Sequence, residues 1–364
     1  MEYTKQSLTF DEQADLIIGR GMICNRDELI SCLKNVGYYR LSGYWYDFRN
    51  LEGSFKPGTE FSVVWNTYAF DRQFRLLVLD ATERVEICLR AQLAYGLSQA
   101  GGAFGYLDSA NLPRLDSKQY DHFINKCLEK HRHSRERFIE HFKTKYGDAH
   151  KLPPYWVLAG TMDFGQVLTL YRGAPVDIRN RIAQQMTVSA KVLESWLVCL
   201  NTVRNICAHH GRLWNRVLGT RPVIPHDKQW HEPYEILPDR MFGALSVLSH
   251  LLGTIAPQSE WHLRLLALFD EYPTIPKMHM GFKAGWQTSP LWEKWLYLDD
   301  IGNVNGRSLE AEVRQIITRA ANADRMGEGV AQIDLGTQIQ AIFKGSGEGL
   351  ELPARDEAQR EVVL

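Results

Sequence analysis

Residues 68–94 read YAFDRQFRLLVLDATERVEICLRAQLA. Apolar side chains recur every three or four positions through this stretch, at Phe70, Phe74, Leu77, Ala81, Val85 and Cys88. Because an α-helix turns about 100° per residue, this spacing gathers the apolar side chains on one face and leaves most charged ones outside it. The pattern predicts a long amphipathic helix over residues 62–98, ended by the glycine pair at 101 and 102.

Helical periodicity continues on both sides of this stretch. Another helix is predicted to begin near Ser189, a good N-cap residue. The aromatic segment 38–48, YYRLSGYWYDF, is compatible with a strand or with a turn of helix. Strands and helices do not alternate and no repeat is visible, so the predicted fold class is all-α. The remaining predicted helices cover residues 11–19, 26–35, 117–146, 176–186, 239–256 and 258–270.

Composition predicts three parts. Residues 1–61 form a small N-terminal helical and aromatic extension, residues 62–298 the main helical domain, and residues 299–364 an acidic C-terminal tail. The tail carries 12 acidic and 7 basic residues, a net charge of −5, which leaves +4 for the rest of the chain. A helix is predicted at 308–323, and the glycine-rich segment 345–349 indicates that the tail is partly flexible.

Several protein classes are disfavoured by composition. The sequence has no run of about 18 uncharged apolar residues, which a transmembrane helix would need. The N-terminus lacks the apolar core of a signal peptide. The cysteines form no C-x-x-C pair, which is typical of reduced thiols in a cytosolic protein, so a cytoplasmic location is predicted. The six cysteines are Cys24, Cys32, Cys88, Cys127, Cys199 and Cys207.

The candidate site is residues 203–216, which read VRNICAHHGRLWNR and include no acidic residue. The helix that starts near Ser189 is predicted to end at Gly211, with Gly211 in the left-handed conformation. His209 and His210 would then lie in the last turn, where the helix dipole favours a protonated imidazole and the nearby arginines oppose it. This balance predicts a histidine that exchanges protons near neutral pH, as acid–base catalysis requires.

Helical geometry adds a constraint on this site. Asn205 and His209 are four residues apart and share a face, whereas Arg204 and His209 diverge by about 140°. A single helix cannot easily direct both side chains at one atom, but two such helices packed side by side can. The spacing therefore predicts a homodimer with a composite pocket.

The charge pattern predicts a polyanionic ligand. Residues 195–226 contain four arginines and no acidic residue, and residues 117–147 contain eight basic and four acidic residues. Aromatic side chains in these regions, Tyr120, Tyr146 and Trp214, could stack on nucleic-acid bases. The candidate RNA-binding residues are Lys130, Arg132, Arg135, Arg212, Trp214 and Arg216.

Other interpretations of the same residues stay open. Arginine and asparagine at a helix end often hold neighbouring loops, and a basic face is often only solvated. A zinc site at Cys207, His209 and His210 is disfavoured because adjacent helical residues point in different directions and no second ligand pair is visible. No metal and no cofactor is therefore predicted.

The segment RNICAH, residues 204–209, matches the R-N-x-x-A-H form of the R-x4-6-H motif of the HEPN superfamily of helical ribonucleases and RNA-binding proteins. More specifically, the chain resembles the Abi-like family of bacterial abortive-infection proteins, of the AbiD/AbiF type. Seven segments carry this resemblance, in order over about 290 residues. They are EQADLIIGRGM, VGYYRLSGYWYDFR, FKPGTEF, YAFDRQFRLLVLDATERVEICLRAQLA, PPYWVLAGTMDFGQVLTLY, SWLVCLNTVRNICAHHGRLWNR and MGFKAGWQTSPLW.

The resemblance implies a HEPN-like helical bundle at 62–298 and a metal-independent endoribonuclease toxin of anti-phage defence. It implies RNA as substrate, with a small non-coding antitoxin RNA as a further partner. Arg204, Asn205 and His209 fall on the catalytic motif, and His210 offers a second register. His209 would transfer a proton, Arg204 would stabilise the phosphate, and Asn205 would orient either group.

Two alternatives to an active ribonuclease remain at this stage. The first is a non-catalytic RNA-binding or scaffold member of the family, for which a degenerate motif would be the sign. The second is a dormant enzyme that is opened only by a phage signal. Glu86 and Arg90, four residues apart on the long helix, are predicted to pair with each other and could also hold Arg204.

Overall fold

The computed structural model describes residues 2, 6–293 and 295. Within them the backbone is helical and forms no extended strand, only isolated β-bridges between Ile23 and Glu60 and between Arg49 and Phe55. The all-α prediction is confirmed, whereas the helix predicted at 308–323 and the tail lie outside the described residues. The α-helices are α1 (Phe10–Gly19), α2 (Arg26–Val36), α3 (Tyr38–Trp45), α4 (Phe61–Gly101), α5 (Ser117–His133), α6 (Arg137–Tyr146), α7 (Tyr155–Leu158), α8 (Phe164–Gly173), α9 (Val176–Gln185), α10 (Ala190–Ala208), α11 (Met241–Ile255) and α12 (Trp261–Glu271).

The long helix α4 organises the core. Its 41 residues span about 60 Å, and Phe70, Phe74 and Ala81 on its apolar face are completely buried. The helix packs against α3 and against each helix from α7 to α12. The predicted helix at 62–98 is therefore confirmed, with its end at the predicted glycine pair.

The aromatic segment that the sequence left undecided is the helix α3. The Trp45 ring is buried between Tyr38 and Phe55, with ring centroids 5.3 and 6.1 Å away. On the side that faces α4, the Tyr44 hydroxyl donates a hydrogen bond of 2.6 Å to Asp71. The N-terminal extension is therefore packed onto the long helix, close to the end of α10.

The single helix predicted at 117–146 is wrong, because the chain breaks it into α5 and α6. The backbone is extended at Ser134 and Glu136 between the two helices. The Ser134 hydroxyl accepts the Glu136 amide at 3.3 Å, and Lys143 Nζ donates to the Ser134 carbonyl at 3.2 Å. These local bonds satisfy backbone groups that a continuous helix would otherwise pair.

The six cysteines are free thiols, as expected. Burial raises the pKa of Cys127, Cys199 and Cys207 to about 12, so these thiols are not ionised at neutral pH. Within the described residues, the helices are too short or too polar to cross a lipid bilayer.

Candidate active site at the end of α10

Helix α10 carries the candidate motif to its C-terminal end. Its N-cap is Ser189, as predicted, whose hydroxyl accepts the Val192 amide at 3.3 Å. Leu193, Trp196 and Val203 on its inner face are buried in the core. The rigid inner face fixes the axis of the helix, so the outward residues of its last two turns have a defined position.

The helix ends differently from the prediction. The last helical residue is Ala208, and the left-handed residue that follows is His210, with φ of 59°, rather than Gly211. The amides of His210 and Gly211 donate to the carbonyls of Cys207 and Ile206 at 3.0 and 2.7 Å. This pair of bonds is a Schellman motif, and histidine is one of the residues that tolerates the left-handed region.

Gly211 has a steric role instead of the predicted conformational one. A side chain at Gly211 would place its Cβ 3.1 Å from Ile206 Cγ2 and 3.3 Å from the Ile206 carbonyl oxygen. The glycine therefore allows the chain to turn closely over the helix end. As a result His209 and His210 lie just past the last turn, and both are exposed.

The three motif residues occupy this end with different degrees of constraint. Arg204 is partly buried, and its Nη1 donates to Asn205 Oδ1 at 3.4 Å. Asn205 and His209 are exposed. Within the described residues, the His209 ring makes no hydrogen bond, and only its backbone amide is fixed, by the Asn205 carbonyl at 2.9 Å. The guanidinium and the amide are therefore in contact, whereas the imidazole is available to a ligand.

Glu86 of α4 lies behind Arg204. Its carboxylate pairs with Arg90, which also donates to the Met162 carbonyl, so the predicted pair is confirmed. Arg204 Nε is 3.9 Å from the other carboxylate oxygen of Glu86. Because Arg90 already neutralises Glu86, the carboxylate holds Arg204 only weakly, and the guanidinium keeps its capacity to bind an anion.

An open groove of about 520 Å³ borders Arg204 along α4. Two exposed apolar side chains, Leu76 and Ile87, line it together with acidic Glu83 and the buried Glu86. The exposed leucine and isoleucine leave apolar surface in contact with water. Burial of this surface against another protein surface would be favourable.

The loop that follows α10 is fixed by a buried carboxylate. Asp71 accepts the backbone amides of Leu213 and Trp214 at 3.1 and 2.8 Å, the Tyr44 hydroxyl, and a bond from Arg75. Burial raises the pKa of the Asp71 carboxyl, whereas these donors favour its ionised form. The network ties α3, α4 and the loop together beside the motif.

The model of one protein family, described as Abi-like protein, matches residues 31–215, just over half of the chain. The chain belongs to the Abi-like protein family. Searches among curated proteins and among solved structures returned no match. Membership associates this Abi-like chain with abortive infection, and the matched region includes α4, the Asp71 network and the whole motif.

The predicted RNA-binding residues of the Abi-like chain have different surroundings. Arg132, Arg135 and Arg216 are exposed. Lys130 pairs with Asp163 at 2.7 Å, and Arg212 donates to the Gly43 carbonyl, so both also have structural partners.

The aromatic candidates also differ in exposure. The Trp214 ring is 5% exposed and stacks on His279 at 5.6 Å, which fits a core role rather than the predicted contact with RNA bases. Tyr120 is half-buried and donates from its hydroxyl to the Tyr106 carbonyl at 3.1 Å. Tyr146 is exposed, and its ring contacts Phe142 and Lys145.

The alternative zinc site does not assemble in the Abi-like chain. Cys207 is buried in the core, whereas His209 and His210 are exposed beyond the helix end, so the three side chains do not converge. Across the described part of the chain, His, Cys, Asp and Glu side chains form no group of three or more suited to a metal ion.

The sequence interpretation missed Asp71, Tyr44 and Arg75, which hold the loop next to the motif. The sequence contained a signal for this buried network. Asp71 lies next to Phe70 on the apolar side of the predicted helix, and an arginine follows four residues later. A carboxylate in that position has to be paired if it is buried.

Proposed function

We propose that this protein is a metal-independent endoribonuclease of the HEPN type that acts as a toxin in abortive-infection defence. The observation that supports it most directly is the exposed end of α10. There a guanidinium, an amide and an imidazole lie within two turns of helix, and the His209 ring is available to a ligand. Membership of the Abi-like family agrees with the biological role.

RNA carries its own nucleophile, so the protein has to move protons and stabilise charge. In the proposed reaction the 2′-oxygen attacks the adjacent phosphorus and the bond from phosphorus to the 5′-oxygen breaks. A base removes the proton from the 2′-hydroxyl and an acid protonates the leaving 5′-oxygen. The products have 2′,3′-cyclic phosphate and 5′-hydroxyl ends.

The side chains of the motif suit these steps. His209 would act as base or acid, Arg204 would donate to the phosphate oxygens as negative charge develops, and Asn205 would orient the phosphate or the imidazole. A single chain offers one motif histidine, whereas the reaction uses a base and an acid. A two-fold dimer in which the two motifs face each other would supply both groups.

We expect such a homodimer in solution, with the groove beside Arg204 as part of its interface. The exposed Leu76 and Ile87 in that groove favour cover by a second copy, and two-fold symmetry is the commonest form of closure. Ile87→Asp should convert the dimer into a monomer and abolish cleavage, as measured by light scattering and by an assay with labelled RNA. Leu51→Asp, at an exposed leucine that does not line this groove, is the matched control and should change neither result. A wild-type monomer at micromolar concentration, in an active sample, would contradict the dimer.

Cleavage should not require a divalent metal. Purified protein incubated with labelled total RNA should give the same cleavage rate with and without EDTA, because the proposed steps use an imidazole and a guanidinium only. Complete loss in EDTA that is reversed by adding magnesium or zinc would exclude this mechanism.

The same experiment separates the enzyme from the non-catalytic alternative. Binding of RNA without any cleavage, under conditions in which the dimer forms, would favour an RNA-binding or scaffold role. A small non-coding RNA that restrains the toxin remains part of the proposal, and would act as an inhibitor of cleavage in this assay.

A further inference from the structure

A second concave surface lies beyond the C-terminal end of α4. It is a pocket of about 490 Å³ between α6, α7 and the chain that follows α4. This volume falls in the range of about 300–1,000 Å³ that is typical of small-molecule sites. Its walls are mainly aromatic and include Phe104, Phe138, Phe142, Tyr146 and Trp156.

The pocket combines a packed wall with exposed rings. The Phe104 ring stacks on His150 with centroids 4.2 Å apart and an angle of 6° between the planes. Phe142 is buried, with its ring packed against Tyr146 at 5.5 Å. The Trp156 side chain, by contrast, is 59% exposed, and Phe138 and Tyr146 are also exposed. Large aromatic rings grouped in water around one cavity are typical of a binding surface.

The part of the chain that contributes α6 to the pocket is rich in basic residues. Residues 130–151 contain seven lysines and arginines and three acidic residues. Lys145 Nζ lies 5.3 Å from the centroid of the Tyr146 ring, and that ring lines the cavity. On α6, Phe138, His141 and Lys145 share the face that lines the pocket, whereas Glu140 lies on the opposite face. A ligand in this pocket would therefore meet aromatic rings and cationic groups together.

We infer that this pocket binds an unpaired base of single-stranded RNA, with the flanking phosphates on Lys145 and its basic neighbours. Nucleic-acid bases stack on aromatic side chains, and each nucleotide links its planar base to a negatively charged phosphate. The inference rests on the RNA-binding part of the proposed function and does not depend on cleavage.

The pocket is distinct from the motif at the end of α10. Glu86, which lies behind Arg204, is separated from the end of α4 at Gly101 by about 22 Å along the helix axis. RNA bound in the pocket would therefore be held at a distance from the proposed point of cleavage.

The test uses wild-type protein and a short single-stranded RNA that contains 2-aminopurine and has every 2′-oxygen methylated. The methyl groups remove the nucleophile, so the probe cannot be cut and only binding is measured. Binding should quench the fluorescence of the probe. Trp156→Ala should weaken binding about tenfold or more, which is the loss expected for one base–aromatic stack. Tyr95→Ala is the matched control, because this tyrosine is 63% exposed on α4 and outside the pocket.

Two further arms define the ligand. Lys145→Ala should reduce the dependence of probe binding on salt concentration, since one phosphate contact is lost. Duplex RNA of the same sequence should compete poorly, because its bases are already paired and stacked. Melting curves should show that the Trp156→Ala and Lys145→Ala proteins remain folded, since both side chains are exposed.

Wild-type affinity in both the Trp156→Ala and Phe138→Ala proteins would overturn the inference, as would equal competition by duplex RNA. Displacement of the probe by a tryptophan-containing peptide at concentrations below those of free RNA would indicate a protein partner and would also overturn it. If the Trp156→Ala protein cleaves unmodified RNA as fast as the wild-type protein does, the ribonuclease proposal stays intact. Binding that depends on Trp156 in a protein that never cleaves would support the pocket alone.

Discussion

Replacing His209 with alanine should lower the rate of RNA cleavage by about 10²–10⁴-fold and leave the protein folded. This is the usual loss when a positioned group for proton transfer is removed. Folding should be insensitive to the change, because the His209 side chain is exposed and the helix end is held by backbone bonds. The rate is measured with labelled total RNA, and folding by circular dichroism and thermal melting.

The neighbouring histidine provides the control for this experiment. His210 has φ of 59°, so His210→Asn is a better control than His210→Ala, since asparagine tolerates the left-handed conformation. It should reduce cleavage much less than His209→Ala. Equal losses in both proteins, or full activity of His209→Ala, would contradict the assignment of His209.

Arg204 tests the other half of the proposed chemistry. Arg204→Ala should abolish cleavage, and Arg204→Lys should restore little of it, because an ammonium cannot donate two parallel bonds to a phosphate.

RNA binding by His209→Ala should stay close to wild type, because exposed arginines such as Arg132, Arg135 and Arg216 supply phosphate contacts. Equal loss of binding and cleavage in His209→Ala would show that the residue acts in binding.

Replacing Asp71 with alanine should lower the free energy of unfolding by about 3–5 kcal/mol. The change leaves the buried guanidinium of Arg75 without its carboxylate partner and removes the acceptor of the Leu213 and Trp214 amides. The measurement is urea denaturation followed by circular dichroism. In a hydrogen-exchange experiment, the backbone amides of the loop after α10 should exchange faster in Asp71→Ala than in the wild-type protein.

Asp80 offers the matched control on the same helix. It pairs with Arg84 and Arg264 at the surface, where ion pairs contribute about 0–1 kcal/mol. Asp80→Ala should therefore have a small effect on unfolding. If Asp71→Ala and Asp80→Ala destabilise the protein equally, the buried network does not stabilise the fold as described.

The long helix and the start of α10 could be predicted from the sequence because their signals are local and repeated. The apolar spacing of α4 continues over many turns, and Ser189 is an N-cap that acts within one turn. The break between α5 and α6 could not be predicted in this way. The break depends on hydrogen bonds of Ser134 and Lys143. These bonds are not visible in the apolar spacing, which by itself favours a continuous helix.

The candidate site shows the same division. The motif is contiguous, so Arg204, Asn205 and His209 could be selected from the resemblance of RNICAH to the R-N-x-x-A-H form. The surroundings could not, because their partners are distant in sequence. The sequence predicts that Trp214 stacks on RNA bases, yet its ring is buried and stacks on His279. The loop after the motif is held by Asp71, which lies 142 residues before Leu213.

The hydrogen bonds between α3 and the chain at the end of α10 have a consequence for how the protein is made. Arg40 donates to the carbonyl of His210, and Arg212 donates to that of Gly43, across about 170 residues. Contacts this far apart close late in folding, because the intervening chain must be ordered first. On the ribosome, α10 can become helical soon after it emerges. The loop after α10 is fixed only when it contacts α3, which is synthesised much earlier. We therefore expect partly synthesised chains to contain the motif without its final geometry.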